Sequence, residues 1–388
     1  MSNLTFLIGC VAIAALALPL AFRLLPRERW QFLATIPLRR QASGWSGLNF
    51  TSYGFISATA SFAAVFMYAV MLGAAGVPAV GIALSALAFL LVCAPAAKLI
   101  AWWVEGDKDT FTVGGASFVG ILMMPAVVWL LNQAYAHRSD VTFELWPLLG
   151  AMGVAYVIGE GIGRLACISF GCCWGTPLHE AAPWLQRLFA RFHFRFDGCT
   201  RKIHYRGKLG DTAVIPVQAL TSTLFIGVGI AGAALFLSGR LASAFVLTLV
   251  TSQVWRVVSE IFRADPRGGR TFTVYQAMAL AAAVYVVGIA VVARGGGVVE
   301  PLMVAAGLAP LWSPTTLLAG QALWVTMFLY MGTSTVSGAH LEYFVRSHAC
   351  ALDHAHDHGH DHDHAQPAMS AARSVLPADV GGSASRAA

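Results

Sequence analysis

Gly163-Arg164-Leu165-Ala166-Cys167-Ile168-Ser169-Phe170-Gly171-Cys172-Cys173-Trp174-Gly175 closes a long apolar segment of the chain. It sets an arginine, three thiols and three glycines at a membrane boundary, where a stretch that only spans lipid needs none of them. Ionisable groups at membrane depth are costly and mark functional sites by default. The stretch therefore points to an integral membrane protein with a polar site at one face.

The composition agrees. Mean hydropathy is +0.67, 57% of residues are hydrophobic and only 11% are charged. Apolar windows able to cross about 30 Å of hydrocarbon as helices recur near residues 4–24, 50–73, 78–101, 112–134, 145–162, 214–237, 241–261, 272–293 and 314–333. These nine windows predict an all-α fold, a polytopic membrane helix bundle with a large polar loop at the active face and a disordered C-terminal tail. Residues 1–24 open without a basic region and end in Phe22-Arg23-Leu24 rather than a small-residue cleavage site, so a retained anchor is expected. The expected organisation is an anchor helix with a basic segment (1–44), a main membrane domain (45–295), a further membrane helix region (296–345) and a polar tail (346–388).

The formal charge of +6 resides mostly in loop arginines. The loop 163–213 carries Arg187, Arg191, Arg195, Arg201, Lys202, Arg206 and Lys208 interleaved with Phe189, Phe192, Phe194 and Phe196. Such a segment suits anionic lipid head groups, or serves only as a topology signal; nothing else in the chain supports a nucleic-acid partner. Seven cysteines do not form a disulfide framework here, and Cys10 and Cys93 read as packing residues inside spans. Adjacent Cys172-Cys173 lack the two-residue spacer of a zinc knuckle, so no metal and no cofactor are expected in the membrane domain. In the tail, His356, His358, His360 and His362 alternate with acidic and small residues. They are candidate ligands for loosely bound Zn²⁺, Ni²⁺ or Cu²⁺, and a merely solubilising low-complexity tail explains the same composition.

Three further segments interrupt the apolar pattern: Ser52-Tyr53-Gly54-Phe55, Gly114-Gly115-Ala116-Ser117-Phe118-Val119-Gly120, and the run from Trp255 to Pro266. In the last, Arg256, Glu260 and Arg263 are spaced i, i+4 and i+7 and would share one helix face. A carboxylate between two guanidiniums stays ionised and leaves donors for a phosphate. A structural salt-bridge face would show the same spacing. Glycines allow close backbone approach to a ligand or close helix packing.

The motifs together resemble the prolipoprotein diacylglyceryl transferase family. The signature G-R-x-x-[NC]-x-x-x-G-x-x-x-G fits residues 163–175, a Tyr-Gly pair fits Tyr53-Gly54, and G-G-x-S-F fits residues 114–118. Pro216-Val217-Gln218 resembles the family's H-P-x-Q stretch, with Ile215 in place of the histidine. Arg256 to Arg263 resembles the R-x-x-x-E-x-x-R-x-x-D block, and Gln276 a later glutamine. The resemblance covers residues 45–290 and implies transfer of the diacylglyceryl group of phosphatidylglycerol to the lipobox cysteine of prolipoprotein signal peptides. It implies catalytic roles for Arg164, Arg256 and Glu260, and lipid or phosphate binding by Tyr53, Gly114, Gly115, Ser117, Gly171 and Arg263. It also implies a multi-pass protein of the bacterial inner membrane with an extracytoplasmic active face. That orientation places Arg23, Arg27, Arg29, Arg39 and Arg40 outside, against the positive-inside rule. Either the first span does not cross, or this segment packs on the membrane surface. The family's catalytic histidine is here Val119, an expected tyrosine is Ser252, and another is lost at Leu220-Thr221. His204 is a candidate replacement base. These departures leave two other readings: a phospholipid-using transferase with another acceptor, or a non-catalytic lipid-binding or metal-handling membrane protein.

Overall fold

The computed structural model describes residues 1–105, 113–135, 143–265, 272–293 and 299–346. The expected tail, with its histidines, lies outside the described residues. Residues 1–341 form one compact unit.

Among the described residues the chain is mostly helical: α1 (Asn3–Leu24), α2 (Ser52–Ala74), α3 (Ala79–Glu105), α4 (Val113–Tyr135), α5 (Leu145–Phe170), α6 (Pro183–Phe189), α7 (Lys202–Tyr205), α8 (Val217–Leu237), α9 (Leu241–Ile261), α10 (Val274–Val292), α11 (Val304–Leu308) and α12 (Pro314–Gly332). Eight of these, α1 to α5 and α8 to α10, are long and apolar enough to cross a membrane. The protein is a polytopic helical membrane protein. The ninth expected span is a helix, α12, but is not among the eight. Thr315, Thr316, Gly320 and Gln321 dilute its apolar character. It packs along α2 instead, with Trp324 Nε1 donating to Thr59 Oγ1 at 3.1 Å.

Helix α5 is the most buried of the eight and packs on α2, α8 and α9. Its small residues make this possible: a Cβ on Gly153 would lie 2.4 Å from Thr248 of α9, on Gly159 2.7 Å from Ala64 of α2, and on Gly161 2.8 Å from Ile226 of α8. Leu148, Leu149, Val154 and Val157 are fully enclosed around these contacts, whereas Leu16 of α1 and Val292 of α10 face outward, as lipid-facing residues do.

A small antiparallel sheet was not expected from the sequence. It consists of β1 (Phe32–Gln41), β2 (Gly44–Thr51) and β3 (Thr333–Leu341), in that order, with Arg40 opposite Trp45 and Ser46 opposite His340. The basic segment is thus partly a strand, carrying exposed Arg39 and Arg40.

Contacts gather the end of α1, the start of α2 and the ends of α5 and α9 at one end of the bundle. Phe22 of α1 meets Phe192 and Phe194 of the head loop, and Gln31 bonds Thr200. The head loop folds around its own core of Trp174, Phe194, Phe196, Ile203 and Val214. Phe194 and Phe196 are therefore buried rather than offered to lipid, Phe189 is buried in a second cluster with Ala181, Ile215 and Val217, and Arg201 is buried as well, while Phe192 stays exposed. Arg201 donates to the backbone carbonyls of Asp197, Ile168, Ser169 and Arg27, tying the loop to the ends of α1 and α5. Arg187, Arg191, Arg195, Arg206 and Lys208 are exposed.

Candidate functional site

Tyr156, Glu160 and Arg164 follow one another at four-residue intervals and so line one face of α5. Arg256 approaches that face from α9. Its Nε and Nη2 donate to the Tyr156 hydroxyl at 3.1 and 2.8 Å, and its Nη2 donates to Glu160 Oε2 at 2.5 Å. Arg164 Nη2 donates to the other oxygen, Glu160 Oε1. The Glu160 side chain is 4% exposed and each arginine side chain 16%. One carboxylate thus neutralises half of two cations, leaving a net charge of +1 in a largely water-free setting. Arg164 Nε is buried and has no hydrogen-bond partner among the described residues.

The carboxylate between the guanidiniums is therefore Glu160, not the Glu260 read from spacing. Helix α9 stops at Ile261 with Phe262 as its cap, so Arg263 leaves the helix and the i+7 relation no longer holds. Arg263 grips Asp265 with two bonds of 2.8 Å and lies 3.5 Å from Glu260. Glu160 and Tyr156 are the residues the sequence reading missed; Asp265 lay within the run it singled out but was given no role. The available signal was an acidic residue inside an apolar helix, one turn before Arg164.

The signature stretch supplies the frame. Gly171 ends α5 at φ 70°, a left-handed conformation that suits glycine. Its N–H bonds the carbonyls of Cys167 and Ile168, and the Cys172 N–H bonds Cys167, which is a Schellman cap. The following residues run beside the segment that leaves α9. Thr176 N–H donates to the Phe262 carbonyl at 2.8 Å, Ala264 N–H to Trp174 at 3.1 Å, and Gly175 bridges Arg263. A Cβ on Gly175 would lie 2.3 Å from the Ile215 carbonyl, so only glycine fits there. Gln218 Nε2 holds the Cys172 carbonyl at 2.8 Å.

Tyr53, at the start of α2, packs edge-on to Phe170 at 5.6 Å and lies within electrostatic reach of Cys167, Cys172 and Cys173. The three Sγ atoms all lie within 4.8 Å of one another. Hydrogen bonds with Cys167 and Cys173, and then burial, hold the Cys172 thiol well above its ordinary pKa. Gly114, Gly115 and Ser117 occupy the first turns of α4, which packs chiefly on α3 and α10 and touches α5. Val119, half-buried, follows on the same helix. His204 sits in α7, against Gly210 of the head loop.

The family model for prolipoprotein diacylglyceryl transferase matches residues 42–294. The chain belongs to the prolipoprotein diacylglyceryl transferase family. No curated protein matches it. The matched span takes in β2 and every helix from α2 to α10, and so includes the arginine cluster, the signature cap and the thiols. Helices α1, α11 and α12, with β1 and β3, fall outside it. The chain is thus a membrane-embedded member of a lipid-modifying transferase family.

Proposed function

We propose that this protein transfers the diacylglyceryl group of phosphatidylglycerol to the cysteine thiol of a prolipoprotein lipobox, at an extracytoplasmic face of a bacterial inner membrane. The observation that carries the reading is the half-neutralised pair Arg164 and Arg256 on Glu160, with the buried Arg164 Nε unpartnered.

In this reaction the sulfur attacks the glyceryl carbon, the bond from that carbon to the phosphate oxygen breaks, and glycerol phosphate leaves. The phosphate passes from a diester to a monoester and, with the thiol proton going to solvent, gains about one further negative charge. Cationic donors fixed beside the phosphate gain strength as that charge develops, which is the condition for accelerating the chemical step. Glu160 and Tyr156 hold the arginines in place, so no reorganisation is needed as the charge moves. We assign Arg263, held by Asp265 and by the Gly175 bridge, to the head group alongside this pair. Tyr53, Gly114, Gly115 and Ser117 are assigned to the lipid, and Gly171 to holding the loop at the head group.

The test is the release of glycerol phosphate from phosphatidylglycerol by the purified protein in detergent. Release should require a lipobox peptide and should vanish with the Cys→Ser peptide. Release without any peptide modification would assign another acceptor, and no release under any condition would contradict a transferase.

A further inference from the structure

We propose that Cys167, Cys172 and Cys173 form a three-thiolate site for a thiophilic d¹⁰ cation of the Zn²⁺ class, whose open fourth position takes the acceptor thiol. The proposal deepens the reading above and rests on it only for the identity of the acceptor.

The spacing of these cysteines argues against a metal; the fold answers that argument. The Schellman cap at Gly171 turns the chain back on itself and delivers Cys172 to the last turn of α5, where Cys167 stands. Cys173 then adopts a left-handed backbone, φ 56°, unusual outside glycine. The result is a triangle of sulfurs within 4.8 Å of one another. Three sulfurs bound at about 2.3 Å to one ion sit about 4 Å apart, so only a small contraction separates the triangle from a coordination site. The sulfurs are soft ligands, which select Zn²⁺ or Cu⁺ over Mg²⁺ or Ca²⁺.

Three thiolates around a divalent cation leave one net negative charge. Two guanidiniums lie within electrostatic reach of the thiols, Arg164 of Cys167 and Cys173, and Arg263 of Cys173, the first sharing Glu160 with Arg256 and the second held by Asp265. All three cysteines keep partial exposure. Three protein ligands plus one open position is the arrangement of a catalytic rather than a structural zinc.

Such a site supplies what Val119 cannot. A thiol that binds the cation gives its proton to solvent and is held as a thiolate. That sulfur attacks the glyceryl carbon; the carbon–oxygen bond to phosphate breaks, and its electron pair goes to the phosphate oxygen beside the arginines. The thioether, a poorer ligand, then leaves the cation. No electron is gained or lost overall, and no oxidant or reductant is needed.

The test uses the full chain, stripped with chelator and titrated with Cd²⁺ as a spectroscopic probe. One equivalent should produce an ultraviolet thiolate-to-metal charge-transfer band, which histidines of the tail do not give. The band should be lost in Cys167→Ser and Cys172→Ser and kept in Cys199→Ser. In the unmutated protein, Zn²⁺ should protect these three cysteines from alkylation, as mapped by mass spectrometry, so the result does not depend on the variants folding. A lipobox peptide, but not its Cys→Ser form, should then strengthen the band. Absence of the band and of protection overturns the metal site, whether or not transfer occurs. A band that ignores the peptide, or transfer that survives chelation and Cys167→Ser, overturns the role in thiol activation. A normal band with no lipid transfer keeps the site and counts against the transferase reading instead.

Discussion

Replacing Arg256 with alanine tests the phosphate clamp in the most quantitative way. Arg256 makes three hydrogen bonds, at 3.1 and 2.8 Å to the Tyr156 hydroxyl and at 2.5 Å to Glu160. Without it the net charge of the cluster falls from +1 to 0, because Arg164 alone remains on Glu160. Losing one preorganised donor aimed at a developing oxyanion costs about 2.7–4 kcal/mol, or about 10²–10³ in rate. Deleting one member of a buried ion pair costs about 3–5 kcal/mol of stability. The surviving Arg164–Glu160 pair puts the expected value at the low end, about 3 kcal/mol. The two effects separate experimentally: transfer kinetics report the first, and thermal unfolding in detergent the second. Arg256→Lys keeps the charge but not the planar fork that reaches Tyr156 and Glu160 together, so it should restore stability more than rate. Arg256→Ala protein that is inserted, monodisperse and within about threefold of wild-type kcat/KM would rule out the phosphate clamp, since even one oxyanion donor carries far more than that.

Other outcomes follow from the same geometry. Glu160→Gln leaves two buried guanidiniums facing one another without compensation, so unfolding in detergent should show a loss of about 3–5 kcal/mol; an unchanged midpoint would contradict the bridge. Gly171→Ala places a side chain at φ 70°, with its Cβ 3.1 Å from that of Arg201. It should cost about 1–2 kcal/mol, read from the same melt. Arg201→Ala strips the donor from four backbone carbonyls, each worth about 1–3 kcal/mol if left unsatisfied, and should prevent recovery of folded protein by size-exclusion chromatography. Cys199 is exposed in the head loop. A membrane-impermeant maleimide added to intact cells should label it if that face is extracytoplasmic, and should fail to do so in the opposite orientation.

The membrane bundle was legible in the sequence because hydropathy is a local property and a span must be continuous. What depends on partners far away along the chain was not. Arg256 selects Glu160, a residue 96 positions distant, over Glu260 on its own helix, because α5 and α9 face one another and the helix ends before Arg263. Strands β2 and β3 pair across almost the whole length of the chain, with Ser46 opposite His340, so neither strand announces its partner. The aromatic residues of the head loop read as lipid contacts because they interleave with arginines and lysines; in the fold Phe194 and Phe196 enclose a small core with Trp174. The cysteines show the opposite case, where linear spacing hides a convergence that one glycine-capped turn creates.

The most direct test of the central claim is mass spectrometry of a lipobox peptide after incubation with the purified protein and phosphatidylglycerol in detergent. The expected result is a mass gain of one diacylglyceryl group, located on the cysteine sulfur and absent in the Arg164→Ala protein. A peptide that stays unmodified while phosphatidylglycerol remains bound would contradict it.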